Sequence, residues 1–328
     1  MKKLLSAVLC LSAICAVFSL ANAQSKRNEI AAPKNYQKLN YAQSSELQKI
    51  IDDAVGELTA KNFKAEEIAV SVIELRDSMN LKSANVRGDV KIYPASVVKM
   101  FYMAALERQM EDGKIKSTTE LERGLRDMIV DSSNEATQYI LDVLTETSSG
   151  GEMSAKEFEK WSYGRNRVNR FYSSLGYLHI NVNQKTHCED AYGREQQFRN
   201  YKGENRNMLT TTATARLMAD IVLGKITNAE RTKKMMDLMK RDPFVKTADT
   251  DDQGTGFSGR ALLDLNLKDA KLWSKAGWTS KSRHDVAYIE TAENLKFVVA
   301  IFTENHSNER GTIPLVVKRI LEGLGKIK

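Results

Sequence analysis

Ser96 and Lys99 lie three residues apart in YPASVVKMFYMAALERQM (Tyr93–Met110), a spacing that puts both side chains on one face of a helix. A lysine enclosed by apolar neighbours loses solvation, its pKa falls, and it becomes a base for an adjacent hydroxyl. The implied chemistry is a serine nucleophile with its activator. Ser132 and Asn134, in MIVDSSNEATQYIL, add a hydroxyl that can relay a proton and a carboxamide that can hold a substrate amide. Serine and asparagine are also the favoured helix N-caps, so this pair has a purely structural use as well. Lys275-Ala276-Gly277-Trp278, in LWSKAGWTS, sets a cation beside a residue without a side chain. A substrate can lie against such a strand, and the N–H of Trp278 can help to bind a developing oxyanion. A solvated strand lysine before a turn would have the same sequence.

These residues need elements to hold them. Pro94 suits a first helical turn, and Val97, Val98, Phe101, Met103, Ala104, Ala105 and Leu106 predict a helix apolar on most sides, closed by Gly113. An earlier amphipathic helix is predicted from a capping box at Ser45 and Gln48, followed by Leu47, Ile50, Ile51, Ala54, Val55 and Leu58. Ile68–Leu75 and a stretch near Ser83–Val90 predict a hairpin ahead of Ser96. From Pro94 to about Lys246 the pattern is helical, through Leu121–Val130, Glu135–Leu144, Ala155–Gly176, Thr211–Leu223 and Asn228–Lys240. The polar stretch Asn181–Met208 is too long for an ordinary connection, which marks it as functional or disordered. Strands return at Leu272–Ser274, Asp285–Thr291 and Phe297–Thr303, and Ile313–Leu324 predicts a closing helix. The expected fold is α+β, an antiparallel sheet flanked by N- and C-terminal helices with an inserted all-α domain.

Residues 1–23 form a charged start, an apolar run and an Ala21-Asn22-Ala23 ending, the succession of a secretory signal peptide cut before Gln24. Residues 24–42 then predict a flexible arm, 43–93 and 255–328 an α/β domain, and 94–254 the helical insertion. Of three cysteines only Cys188 follows the leader, so no intrachain disulfide is expected. The 49 Lys and Arg residues are mixed along the chain with 42 Asp and Glu, too evenly for a nucleic-acid-binding protein. Tyr163–Arg206 holds eight basic residues against four acidic, which favours an anionic substrate or simply a solvated loop.

S-x-x-K, S-x-N and K-x-G occur here in the order of the serine β-lactamase and penicillin-binding superfamily, and the chain resembles class A β-lactamases most closely. The likeness spans most of the chain after the leader, and Thr210–Leu223 is similar to the helix that follows the omega loop of that family. The resemblance implies Ser96 as the acylated nucleophile and Lys99 as its base or proton shuttle. It makes Ser132 the proton donor to the leaving nitrogen, Asn134 the holder of the substrate amide, and Lys275 the attractor of its carboxylate. The N–H groups of Ser96 and Trp278 would form the oxyanion hole, with Gly277 beside them. Arg283 stands where class A enzymes keep an arginine for the substrate carboxylate, and His284 is an equally placed candidate. The family's deacylating glutamate corresponds to Glu195 or Glu189; counting back from Thr210-Thr211 favours Glu195, with Arg194 beside it as a loop anchor. Three departures stand out: Ser132 follows Ser96 by only 36 residues, Ala276 replaces a hydroxyl residue, and the loop has no E-x-x-L-N match.

The expectation is an exported serine hydrolase, periplasmic or secreted, acting through an ester on Ser96, with β-lactams as leading substrates. The alternatives are a cell-wall D-Ala peptidase or esterase of the same fold, and a non-catalytic module that holds cell-wall peptides. No cofactor or metal is expected, since His179, His187, Cys188 and Glu189 match no ligand spacing. The partner is a small-molecule β-lactam or cell-wall peptide, with no nucleic acid, no membrane after signal cleavage, and a monomeric state.

Overall fold

Phe297 to Phe302 explains why the strands are apolar at consecutive positions. Phe297, Val299 and Ile301 join one hydrophobic core while Val298, Ala300 and Phe302 join another, because successive side chains of a strand point to opposite faces. The sheet is therefore covered on both sides. A computed structural model describes residues 29–61, 63–187 and 190–325; the expected leader, Cys188 and Glu189 lie outside them.

The strands are β1 (Tyr41–Gln43), β2 (Ile68–Glu74), β3 (Leu81–Val86), β4 (Lys240–Arg241), β5 (Lys271–Trp278), β6 (Ser282–Glu290) and β7 (Lys296–Glu304). They form one sheet in the order β1-β3-β2-β7-β6-β5-β4. Every pairing is antiparallel except β1 with β3, which is parallel, so the sheet is mixed at one edge. One face packs on α1 (Ser45–Thr59) and on α11 (Thr312–Leu324), through Leu47, Ile51, Ile313, Val316, Val317 and Ile320.

The other face carries the helical layer. Its centre is α2 (Val98–Glu111), buried from Val98 to Met110. Around it stand α3 (Thr119–Ile129), α4 (Asn134–Thr145), α5 (Ala155–Arg165), α6 (Arg167–Ser174), α7 (Arg194–Arg199), α8 (Thr211–Val222) and α9 (Ala229–Met239), whereas α10 (Ser258–Asp264), which leads into β5, packs on the opposite face beside α11 through Ala261 and Leu262. Burial on all sides explains why α2 has no polar stripe. Its Glu107 is compensated by Arg231 at 2.7 Å and Lys234 at 2.9 Å.

Several expectations are corrected. The first cap is Ser44, which accepts from the Leu47 N–H, one residue before the predicted box. Ala155–Gly176 divides at Asn166 into α5 and α6. The arm does not stand free: Ile30 and Leu39 enter the core, Arg170 pairs with Glu29 at 2.7 Å, and Tyr36 donates to Asp220 at 2.8 Å. Its polar composition hid these few anchors. Among the described residues no helix is long and apolar enough to cross a membrane.

Candidate active site

The Ser96 turn is built by contacts that cross the whole chain. Ala95–Val97 forms a short 3-10 turn that runs into α2. Gly277 of β5 lies under it: a Cβ at this glycine would stand 2.7 Å from Ser96 N, 2.8 Å from Val97 N and 2.9 Å from Pro94 O. Only a residue without a side chain lets the strand approach so near. Opposite Gly277 on β6 is His284, whose Nδ1 accepts from the Thr303 N–H at 3.1 Å. Its proton is therefore on Nε2, which donates to Tyr93 O at 2.9 Å. Burial holds this ring at a pKa of about 4, so it is neutral near pH 7.

Lys99, in the first turn of α2, is fully buried. Its Nζ donates to Ser132 O at 2.5 Å, Ser132 Oγ at 3.3 Å and Asn134 Oδ1 at 2.9 Å. Ser132 has φ +57°, the left-handed region rarely used by side-chain residues. The adjacent Ser133 takes the capping duty, accepting from the Ala136 N–H at 3.0 Å, which leaves Ser132 and Asn134 for Lys99. Capping and site geometry thus both occur in one tripeptide.

Lys275 reaches the same hydroxyl from β5. Its Nζ donates to Ser132 Oγ at 3.0 Å, Gln253 Oε1 at 2.7 Å and Ala276 O at 2.8 Å. Burial pushes its pKa well below the usual lysine value, the positive charges of Lys99 and Arg241 push it further, and Asp285 opposes them. With both lysine nitrogens donating to Ser132 Oγ, the hydroxyl proton is left to point elsewhere.

The peptide of Trp278 completes the set. The Thr279 N–H donates to Ser282 O at 2.9 Å, so those residues form a hydrogen-bonded pair of the hairpin. Bonded and non-bonded pairs alternate along an antiparallel ladder. Trp278 and Arg283 are therefore a non-bonded pair, and the Trp278 N–H points away from β6 to the open edge of β5, beside the Ser96 turn. Ala276 has the same orientation, its N–H donating to Gln253 Oε1 at 3.3 Å.

Gln253 was not foreseen. Its Oε1 receives Lys275 and Ala276, while its Nε2 donates to Val130 O at 2.8 Å. It ties the helical layer to β5 across the site. A lone glutamine in a polar loop gives no sequence signal of this.

Three expected roles are corrected. Arg283 is buried, with its guanidinium on Asp251 at 2.7 Å, on Gly256 O at 2.7 Å and 3.9 Å from the Phe257 ring. It holds the loop before α10 and is not presented to a substrate carboxylate. His284 is likewise enclosed and uncharged. Glu195, expected to be the deacylating base, has both oxygens on Arg165, at 2.8 and 2.9 Å, with Ser149 Oγ at 3.0 Å and Lys185 Nζ at 3.5 Å. This buried clasp joins α5, α7 and the intervening loop, and two cations have captured the carboxylate. Arg194 does anchor the loop, donating to Gly151 O at 3.1 Å.

A mixed sheet with a helical layer, and an S-x-x-K turn meeting a K-x-G strand at their junction, defines a β-lactamase-like hydrolase. The chain belongs to the β-lactamase enzyme family, whose model matches residues 46–322. Its fold is similar to that of a β-lactamase from Sphaerobacter thermophilus DSM 20745, with TM-score 0.61 and 19% identity over 85% of this chain and 98% of that one. PBP-A is similar at TM-score 0.60 and 16% identity, over 88% and 100%. A β-lactamase from Burkholderia vietnamiensis is similar at TM-score 0.61 and 13% identity, over 87% and 98%. No curated protein matches the chain in sequence.

Proposed function

We propose that this protein is an exported serine hydrolase that transfers an acyl group to Ser96 and then to water, with β-lactams as its leading substrates. The observation that carries the reading is the Ser132 hydroxyl held between Lys99 and Lys275, next to a serine whose turn rests on Gly277. Lys99 is the assigned base: its neutral form takes the Ser96 proton as Oγ bonds to the acyl carbon. The carbonyl electrons move onto oxygen, facing the N–H groups of Ser96 and Trp278. Collapse breaks the bond to the leaving nitrogen, which takes the Ser132 proton while the lysine ammonium replaces it. Water then cleaves the ester, releasing the acid and restoring the Ser96 hydroxyl.

A second reading, a cell-wall D-Ala peptidase or esterase, is favoured by Ala276 and by the engagement of Arg283 with Asp251 and Gly256. Both withhold groups that would bind a β-lactam carboxylate. Turnover of a chromogenic cephalosporin and of a peptide ending in D-Ala-D-Ala, each with Ser96→Ala as control, tests the two. Cephalosporin turnover lost in the variant supports the leading reading. Peptide turnover alone supports the second, and binding unaffected by Ser96→Ala supports a non-catalytic module.

A further inference from the structure

A second polar pocket, of about 100 Å³, lies between Tyr93 and the loop that follows α6. Tyr93 is three residues before Ser96, and its carbonyl is the atom His284 holds. The volume admits a carboxylate or a few waters. What distinguishes this pocket is a surplus of donors. Gln184 is buried at 8% exposure, and its Nε2 has no hydrogen-bond partner among the described residues. Arg199 and Arg206 also line the pocket, and the Arg206 guanidinium lies 5.5 Å from the Tyr93 ring centre.

Two side-chain oxygens that line the pocket, Asn205 Oδ1 and Asn207 Oδ1, are already in use. Asn207 Oδ1 receives the N–H groups of Asn183 and Gln184 and the Tyr102 hydroxyl. Asn205 Oδ1 receives Asn181 and Asn183. Lys185 spends its charge on Asp142 and Glu195. Among the described residues the ion-pair partners of Arg199 and Arg206 are Asp190 and Glu204, carboxylates with side chains 59% and 72% exposed. Such rim pairs are weak and exchange readily for a better-placed anion. A cavity that offers a buried amide N–H and two guanidinium groups, with the Asn205 and Asn207 side-chain oxygens engaged, suits a planar anion.

We propose that this pocket is a subsite for a carboxylate carried by the acyl donor, an assignment that rests on the acyl-transfer reading above. Recognition of the anion thereby moves from the β5 and β6 strands, where Ala276 and Arg283 do not supply it, to the pocket lined by Tyr93.

The test uses two activated thioester donors that differ only in ending in a carboxylate or its carboxamide. The wild type is expected to prefer the carboxylate by roughly tenfold or more in kcat/KM, as a charge-assisted contact implies. Arg206→Gln, with Arg199→Gln as a second variant, reduces that ratio. Independently, glutarate added to Ser96→Ala protein shifts the Gln184 side-chain amide signal in NMR. Equal acylation by the two donors, or an unmoved Gln184 signal, overturns the subsite. A moved signal with no acylation by either donor supports the anion site and removes the acyl-transfer reading, so the two failures are distinguishable.

Discussion

Ser132 is the residue on which two separate lysines converge, and its loss isolates the proton relay from the fold. Ser132→Ala is expected to lower the acylation rate by about 100- to 1000-fold, the range of a single positioned proton donor, with an unchanged circular dichroism spectrum. His284 gives a test of different kind. Its folded pKa of about 4 lies below the usual 6.5, so below pH 6.5 the unfolded chain binds a proton that the folded one refuses. The stability this contributes is complete above that pH and is lost as pH falls to about 4. Urea titrations should show the advantage of wild type over His284→Asn shrinking by about 3 kcal/mol between pH 7 and pH 4. The grouping of Lys99, Ser132, Asn134 and Lys275 was legible because S-x-x-K, S-x-N and K-x-G occur in the order of the family they resemble. His284 and Gln253 were not, since their partners are 191 and 22 residues away and only folding joins them. Glu195 misled because counting along a loop locates a residue without revealing that Arg165 claims it.

At the scale of elements, β5 and the loop clasp make opposite demands. Gly277→Ala would drive a Cβ into backbone at 2.7 Å from Ser96 N, so the strand or the turn must retreat. The expected outcome is a loss of roughly 100-fold or more in kcat/KM, the scale of one lost oxyanion donor, in a protein that still folds. The clasp predicts a stability effect instead. Arg165→Met leaves Glu195 and Asp142 with Lys185 as their remaining cation among the described residues, and breaking such a buried pair costs roughly 3–5 kcal/mol. Glu195→Gln should lower stability too, without slowing deacylation more than acylation; a selective fall in deacylation would restore its role as base. Sequence periodicity located β2, β6, β7 and the terminal helices to within a few residues, since each has a continuous apolar signal. It missed β1, β4 and α10, whose lengths of 3, 2 and 7 residues are too short to show a period. The edge strands exist because the sheet supplies them with partners.

For the whole molecule, the order of elements was the most legible feature. Helix, strands, helical insertion, strands and helix close by bringing β7 back beside β2, with β6 and then β5 outward from it, which places K-x-G next to the Ser96 turn. That return unites residues 96, 132 and 275 in one cleft between two layers. The attachment of residues 29–42 was not legible, because Ile30, Leu39 and Tyr36 are isolated anchors without a pattern. The central claim is that this junction makes Ser96 an acyl acceptor. Intact-mass spectrometry of the protein with a penicillin and a cephalosporin, followed over time and mapped to the modified residue, tests it most directly. The predicted result is a drug-mass adduct on Ser96, absent in Ser96→Ala, that decays as hydrolysed drug accumulates. An adduct on another residue, or the same adduct in Ser96→Ala, would contradict the claim.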